Sequence, residues 1–216
     1  MSPFFYFKYT TKMSGASFDT RVAAVIVAAG SSSRMSAIKQ LLPWKRTTML
    51  GYVIKQLEEA GADHIFVVLG AHEKEILKNI DSSTISIIHN KDWSQGMGTS
   101  IATAISYMKA QQREFDGLLL AACDQPLVSL THYKKLINSC INHSRIIASS
   151  YNNGMGIPVV FGRSYFDELS ILKNDVGAKS IVKNHLDRLI QIDAPEAAID
   201  LDTKEKYEKY YHTHGK

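Results

Sequence analysis

Continuous apolar runs alternate with segments of helical hydrophobic spacing along most of the chain. The run VAAVIVAA at residues 22–29 has no polar position, which is typical of a strand buried on both faces of a parallel sheet. From Met49 to Ala60, apolar residues recur at three- and four-residue intervals, which predicts a helix that ends before Gly61. The same patterns predict strands at residues 64–69, 84–88, 117–122, 146–149, 157–161 and 189–192. They predict helices at residues 73–80, 99–110, 129–142, 164–172 and 178–185, with a last helix opening at Thr203.

This order of elements predicts an α/β fold with a mainly parallel central sheet and helices on both faces. No internal repeat and no linker rich in Pro, Gly or Ser divides the chain, so we expect residues 21–216 to form a single domain. We expect residues 1–20 to form an N-terminal tail. Ligands of open parallel sheets bind outside the carboxyl ends of the strands. The loops that follow strands are therefore the places where function is expected.

Composition excludes several classes of partner. The 216 residues carry a net charge of +4 with scattered lysines and arginines, so a nucleic-acid-binding tract is not indicated. No apolar stretch approaches the roughly 20 residues that span a bilayer, and the N-terminus does not resemble a signal peptide, so no membrane association is expected. Cys123 and Cys140 lie in apolar segments without metal-ligand spacing. We expect two reduced, buried thiols and a cytoplasmic protein.

The loop GSSSRMSAIK follows the first predicted strand and contains candidate phosphate ligands. Its small residues would let backbone N–H groups approach phosphate oxygens, and Arg34 and Lys39 could neutralise the charge. The loop matches neither the dinucleotide fingerprint G-x-G-x-x-G nor the Walker A pattern. From these residues alone, an ordinary βα loop with solvated basic side chains remains an alternative.

Two acidic segments are candidates for a metal site. Asp124, in CDQP, directly follows the strand predicted at residues 117–122 and could hold Mg²⁺ on a triphosphate. Asp200 and Asp202, in IDLDT, alternate along an extended segment and could supply a second ligand. Each aspartate could equally be a turn or helix-cap residue.

Six segments together carry a resemblance to a known family. They are AAGSSSRM with its downstream lysine, NKDWSQGMGTS, DQP, NNGMGIPVVF, NDVGAKSIV and IDLDT. In this order, over about residues 21–210, they resemble the MobA-like nucleotidyltransferases, specifically the molybdenum cofactor cytidylyltransferase branch. The resemblance implies a Rossmann-like three-layer α/β sandwich of the nucleotide-diphospho-sugar transferase type. It also implies that the protein binds an NTP and Mg²⁺, transfers NMP to a phosphate-bearing acceptor, and releases pyrophosphate.

The resemblance also assigns roles by position. The nucleotide loop would comprise Ala28, Ala29, Gly30, Ser31, Arg34 and Lys39, and Gly96, Met97 and Ser100 would border the nucleotide pocket. Arg34, Lys39 and Asp124 would be the catalytic residues, and Asp124 and Asp202 the metal ligands, with Asp200 as the alternative to Asp202. The acceptor side would comprise Gly156, Pro158, Asp175, Gly177 and Ala178.

The same resemblance bears on the substrates. Alanine at position 29 goes with cytidylyltransferases and glycine with guanylyltransferases, so CTP is expected rather than GTP, with the molybdenum cofactor as acceptor. A molybdenum hydroxylase apoenzyme would be a candidate partner. Two positions depart from the family pattern: Ser36 stands where glycine is usual, and Asn174 precedes Asp175 where glycine is usual. Serine adopts a positive φ less readily than glycine, so Ser36 could reshape the loop, whereas asparagine tolerates left-handed geometry.

Other functions stay open at this point. The chain could transfer a nucleotide to a sugar phosphate or polyol phosphate, because acceptor loops diverge easily. It could also be a non-catalytic protein that binds the molybdenum cofactor and delivers it to an apoenzyme. A redox dehydrogenase is the least favoured class, because the G-x-G-x-x-G spacing is missing.

Overall fold

The computed structural model of the protein describes residues 20–111, 113–141, 143–151 and 154–216. The strands are β1 (Val22–Val27), β2 (Pro43–Trp44), β3 (Thr47–Thr48), β4 (His64–Leu69), β5 (Ile85–His89), β6 (Gly117–Ala122), β7 (Ile146–Tyr151), β8 (Gly154–Gly162) and β9 (Leu189–Asp193). The helices are α1 (Met49–Ala60), α2 (Glu73–Leu77), α3 (Met97–Ala110), α4 (Leu130–Asn138), α5 (Phe166–Ser170), α6 (Lys179–Asn184) and α7 (Lys204–Tyr210). The tail expected at residues 1–20 lies outside the described residues except for Thr20.

Seven strands form the central sheet in the order β5-β4-β1-β6-β8-β7-β9, while β2 and β3 form a separate hairpin. Strand β8 runs antiparallel to both of its neighbours, and the other adjacent pairs of this sheet are parallel. Only two residues separate β7 from β8, which suits a hairpin and is far too short for a parallel crossover. The carboxyl ends of the six parallel-running strands therefore meet at one edge of the sheet.

Helices cover both faces of this sheet, as the alternating side chains of β1 show. Ile26 lies in a core cluster with Leu57 of α1. Its neighbour Val25 lies in a second cluster on the other face with Ile101 of α3. The predicted three-layer α/β architecture is therefore confirmed. No helix in the described part of the chain is long and apolar enough to cross a membrane.

Sequence patterns located most elements but not all of their ends. The structure confirms β4, β6 and α1 with the predicted bounds, and the Ser129 hydroxyl accepts a hydrogen bond from the His132 N–H at the start of α4. The helix predicted at residues 164–172 is shorter. It begins at Phe166 after a 3-10 turn, Arg163–Tyr165, and Ser164 does not cap it. The helix predicted to reach residue 142 ends at Asn138, and residue 142 itself lies outside the described residues.

Candidate active site

Two neighbouring cavities lie at the carboxyl edge of the sheet. The first, which we call the β1 cavity, has a volume of about 300 Å³ and lies beside the ends of β1 and β6. Its wall contains most of the residues predicted to bind a nucleotide. These are Ala28, Ala29, Gly30, Ser31, Lys39, Gly96, Met97 and Ser100. Asp124, predicted as a catalytic residue and metal ligand, lines the same wall. Arg34 does not line the cavity, and its side chain is 70% exposed.

The second cavity, which we call the β8 cavity, has a volume of about 260 Å³ and contains most of the residues predicted for an acceptor. Gly156, Gly177 and Ala178 line it, together with Asp200. Two predicted acceptor residues lie elsewhere. Asp175 lines the β1 cavity, and Pro158 lies outside both walls, where its carbonyl accepts a hydrogen bond from Ser149 Oγ.

One carboxylate belongs to both cavities. Asp124, at the end of β6, lines the β1 cavity and the β8 cavity, as do its neighbour Ala122 and Met97 at the start of α3. A ligand in one cavity and a ligand in the other would therefore meet beside Asp124.

The loop after β1 is held in shape by a buried glutamine. Gln40 Nε2 donates to the carbonyl oxygens of Ala28 (2.8 Å) and Gly30 (3.0 Å), and Gln40 Oε1 accepts from Ser32 Oγ (3.2 Å). The Lys39 N–H donates to the same Ser32 oxygen. These bonds fold the loop back on the strand end and bring Lys39 to the cavity. Sequence reasoning missed Gln40, although a lone amide inside the apolar run IKQLLP was a signal for it.

The two departures from the family pattern fit the backbone. Ser36 is exposed and does not have a positive φ, so the loop does not require glycine there. The left-handed residue of this loop is Ser32, with φ of 57°. Asn174 has φ of 53°, which confirms that asparagine serves in a left-handed position.

A short ion pair joins the two most central charged groups. Lys39 Nζ lies 2.6 Å from Asp124 Oδ2, and each side chain is only 17% exposed. Burial is the largest single effect and by itself would lower the pKa of Lys39, but Asp124, Cys123 and Asp202 together outweigh it, so the pKa lies above its usual value. Lys39 is therefore a firmly charged cation at neutral pH.

Asp202, predicted as a metal ligand, lines neither cavity and is instead held in ion pairs beside the site. Arg34 Nη1 lies 2.6 Å from Asp202 Oδ2, and Lys206 Nζ lies 2.9 Å from Asp202 Oδ1. Partial burial opposes ionisation of Asp202, but Lys206 and Arg34 hold its pKa below the usual range. Asp202 is 15% exposed by side chain and stays ionised.

Asp200 is the third carboxylate of this group. It accepts a hydrogen bond from Gln125 Nε2 at 3.0 Å, and burial followed by the charge of Asp124 raises its pKa. The Leu201 N–H donates to the Asp124 carbonyl at 2.8 Å, which ties the segment carrying Asp200 and Asp202 to the end of β6. The three aspartates are thus electrostatic neighbours.

These carboxylates suit a hard divalent cation. In the described part of the chain, no group of three or more His, Cys, Asp or Glu side chains could by itself hold a metal ion. Mg²⁺ is commonly held by one or two carboxylates while substrate phosphates complete its shell. Asp124 and Asp200, which line the β8 cavity together, would offer that smaller donor set, and Asp202, which lines neither cavity, would be a further carboxylate beside them.

Two glycines at the start of α3, Gly96 directly before the helix and Gly98 in its first turn, allow the segment of residues 173–176 to approach closely. The Gly98 N–H donates to the Asn174 carbonyl at 2.8 Å, and a Cβ on Gly98 would lie 2.6 Å from the Val176 carbonyl oxygen. A Cβ on Gly96, where φ is 117°, would clash with Asp175 Oδ1. Residues 173–178 therefore rest directly on the backbone of α3.

Several wall residues were missed by sequence reasoning. They are Gln40 and Ser94 in the β1 cavity, and Gln125, Tyr151 and Lys179 in the β8 cavity. Lys179 is the only lysine or arginine in the described wall of the β8 cavity. Cys123 also lines the β1 cavity, but burial raises the pKa of its thiol to about 12, which makes it a poor nucleophile.

Comparison with known proteins adds a family match. The sequence profile of the MobA-like NTP transferase domain matches residues 24–189. The chain is 25% identical over 187 residues to the molybdenum cofactor cytidylyltransferase of Escherichia coli (strain K12), which covers 86% of this chain and 93% of that protein. It is 26% identical over 198 residues to the nicotine blue oxidoreductase of Paenarthrobacter nicotinovorans, covering 86% and 94%. The structure of Rv0371c from Mycobacterium tuberculosis H37Rv in complex with manganese is similar, with a TM-score of 0.73, 26% identity and coverage of 90% and 100%.

Proposed function

The chain belongs to the MobA-like NTP transferase family and is a nucleotidyltransferase, and from this premise we propose that it moves CMP from CTP onto the phosphate of the molybdenum cofactor. Pyrophosphate is the second product. The observation that carries the proposal is the position of Asp124 in the walls of both cavities. The β1 cavity takes the nucleotide, the β8 cavity takes the acceptor, and the two phosphates meet beside Asp124.

The choice of CTP rests on the floor of the β1 cavity. Ala29 is 3% exposed, lines the cavity, and packs in the core cluster that includes Ile101 of α3. Its methyl group therefore cannot move away from a ligand, and it narrows the floor against a purine. The similarity to a cytidylyltransferase supports the same choice.

The reaction needs little chemistry from the protein beyond positioning and charge. An oxygen of the acceptor phosphate attacks the α-phosphorus of CTP in line, and the bond from that phosphorus to the bridging oxygen breaks, so that pyrophosphate leaves with the electron pair. A phosphate is already ionised at neutral pH, so no general base is required. Lys39 neutralises the triphosphate in the cavity, and Arg34, which does not line the cavity, would act on the part of the triphosphate that extends out of it. Asp124 and Asp202 would hold Mg²⁺, which when bound orients the phosphate oxygens and offsets their negative charge.

The acceptor end of the site is mostly apolar. Tyr151, Met155 and Ile157 form part of the β8 cavity wall, which suits the flat ring system of the cofactor. Lys179, exposed at the start of α6, attracts the acceptor phosphate, while Asp124 and Asp200 repel it unless a cation lies between. The acceptor would therefore bind better once the nucleotide and metal are in place.

The proposal is tested by measuring pyrophosphate release with CTP or GTP, each with Mg²⁺ and with or without isolated molybdenum cofactor. We expect release only with CTP and cofactor together, and calorimetry should give a Kd for CTP at least about tenfold below that for GTP. Asp124→Asn should lower turnover by about a hundredfold or more, in the range of losing one transition-state contact. Asp187→Asn, an exposed carboxylate before β9, is the matched control.

Other outcomes would contradict the proposal in specific ways. Release with a sugar phosphate or polyol phosphate instead of the cofactor would change the acceptor. Tight cofactor binding without pyrophosphate release would indicate a carrier protein. A clear preference for GTP would contradict the role given to Ala29, and normal turnover of Asp124→Asn would contradict the site as a whole.

A further inference from the structure

A buried hydrogen-bond chain runs from α4 through β7 to β8. The side chains of His132 and Ser149 lie 2.8 Å apart, from Nε2 to Oγ, and Ser149 Oγ donates to the Pro158 carbonyl at 2.6 Å. His132 is 3% exposed and Ser149 is fully buried. Neither residue lines the β1 cavity or the β8 cavity, so neither can contact a ligand there.

This series of hydrogen bonds ends at the point where the pairing between β7 and β8 changes register. Ala148 pairs with Val159, whereas the next residue, Ser149, pairs with Gly156. Two residues of β8, Ile157 and Pro158, therefore have no opposite residue on β7 and form a bulge. This bulge adjoins the β8 cavity, because Gly156 and Ile157 line the cavity wall.

The hydroxyl of Ser149 supplies a donor at the bulge. A buried carbonyl requires a donor, and Pro158 has no opposite residue on β7 to provide one. Ser149 has one proton and gives it to the Pro158 oxygen, so its own oxygen accepts the N–H of His132 Nε2. His132 in turn is fixed on α4, where the Ser129 hydroxyl caps the helix by accepting the His132 backbone N–H.

We propose that His132 and Ser149 are positioning residues that hold the bulge at Ile157 and Pro158, and with it Gly156, against the acceptor. The inference rests on the proposed function, since it assumes that the acceptor occupies the β8 cavity. Both residues act through the Pro158 carbonyl and thereby fix the positions of Gly156 and Ile157 in the cavity wall. Their loss widens or displaces one wall of the β8 cavity, while the β1 cavity, whose described wall contains no residue of β7 or β8, keeps its shape.

The test compares the effect of each substitution on the KM for the acceptor with its effect on the Kd for CTP. Ser149→Ala removes the donor to Pro158 with almost no change in volume, and we expect the KM for molybdenum cofactor to rise about tenfold, because a displacement of about 1 Å can cost up to a hundredfold. The Kd for CTP, measured by calorimetry, should stay within about twofold. His132→Leu should behave like Ser149→Ala, whereas His132→Gln, whose Nε2 can still donate, should restore most of the acceptor affinity. Ser139→Ala, at the exposed end of α4, is the matched control.

A second readout does not depend on turnover. Amide hydrogen exchange should accelerate in β8 around Ile157 and Val159 in Ser149→Ala, with no change in β1. If the acceptor KM and this exchange remain at wild-type values, the inference is wrong although the proposed function stands. If CTP affinity falls as much as acceptor affinity, the two residues serve only general stability and the inference is again wrong. A wild-type protein that neither binds CTP nor uses the cofactor would overturn the proposed function, and this inference with it.

Discussion

Lys39 and Asp124 neutralise each other across 85 positions of sequence. Each is mostly buried, so either charge left alone would be costly to keep in the wall of the cavity. A metal ion at Asp124 would compete with the Lys39 ammonium, and a triphosphate at Lys39 would compete with the Asp124 carboxylate. If nucleotide and metal bind together, the metal pairs with Asp124 and the triphosphate pairs with Lys39, so neither charge is left unpaired. The ion pair therefore favours binding of the two as a unit.

Replacing the lysine tests this competition directly. In Lys39→Met the ammonium no longer occupies Asp124, so the Mn²⁺ affinity of the protein without nucleotide should rise about tenfold, which corresponds to about 1.4 kcal/mol. Turnover of CTP should be lost in the same variant, because the triphosphate loses its buried cation. The free Mn²⁺ signal in electron paramagnetic resonance measures the affinity.

Two further variants keep that measurement interpretable. Lys55→Met removes an exposed lysine that pairs with Glu59 on α1 and should leave Mn²⁺ affinity unchanged. Asp124→Asn should weaken Mn²⁺ binding. An unchanged or lower Mn²⁺ affinity in Lys39→Met would mean that lysine and metal do not compete for Asp124.

At the scale of elements, the segment of residues 173–178 links the two cavities. It supplies Asp175 to the β1 cavity and Gly177 and Ala178 to the β8 cavity, and it rests on the glycines that begin α3. The segment was recognisable in sequence as part of the resemblance. Its contact with the start of α3 was not recognisable, because contact between α3 and a loop some 75 residues later depends on how both pack against the sheet.

Gly98→Ala should dislodge this segment. The new Cβ would lie 2.6 Å from the Val176 carbonyl oxygen and 2.8 Å from that of Asn174, and both are backbone atoms that cannot turn aside. Alanine is a better helix former than glycine by up to about 1 kcal/mol, so α3 itself is not weakened. We expect CTP affinity and acceptor KM to worsen together, by about tenfold each. Calorimetry and steady-state kinetics give the two values.

The control for that variant is Ser106→Ala on the exposed face of α3, which should change neither substrate. Wild-type affinities in Gly98→Ala would show that the segment tolerates displacement and does not shape either cavity. The joint loss expected here also differs from the acceptor-only loss expected for Ser149→Ala.

At the scale of the whole molecule, the two thiols report on global unfolding. Cys123 at the end of β6 and Cys140 after α4 are 2% and 1% exposed. Burial raises the pKa of Cys123 to about 12 and that of Cys140 to about 11. The expectation of two buried cysteines is confirmed. Both stay protonated in the folded protein at a pH where unfolded thiols ionise.

Two results follow for thiol chemistry and pH. At pH 8, a thiol reagent should label neither cysteine faster than the folded protein opens, and both should react at once in concentrated guanidinium chloride. Because the folded pKa values lie above the unfolded value of about 8.5, the unfolded state loses protons first as the pH rises. The free energy of unfolding should therefore fall as the pH rises past about 9. Rapid labelling of either thiol under native conditions would contradict their burial.

The sequence by itself determined the elements and most of the chemistry-bearing residues. Apolar runs predicted the strands β4 and β6 with the bounds that the structure shows. The position of Asp124 soon after β6 made it a candidate ligand. These are local signals, since periodicity, caps and strand ends depend on neighbours along the chain. The antiparallel direction of β8 and its bulge lie beyond such signals, because register depends on which strand lies alongside.

Tertiary structure decided how the residues combine. It paired Lys39 with Asp124 and Arg34 with Asp202, made Asp124 common to two cavities, and left Pro158 outside the wall it was predicted to form. It also brought Lys179 to the β8 cavity. Each of these relations joins side chains from distant segments, and distances between such segments are fixed by strand order and by packing on the two faces of the sheet. The pattern of residues along the sequence specifies neither the strand order nor this packing.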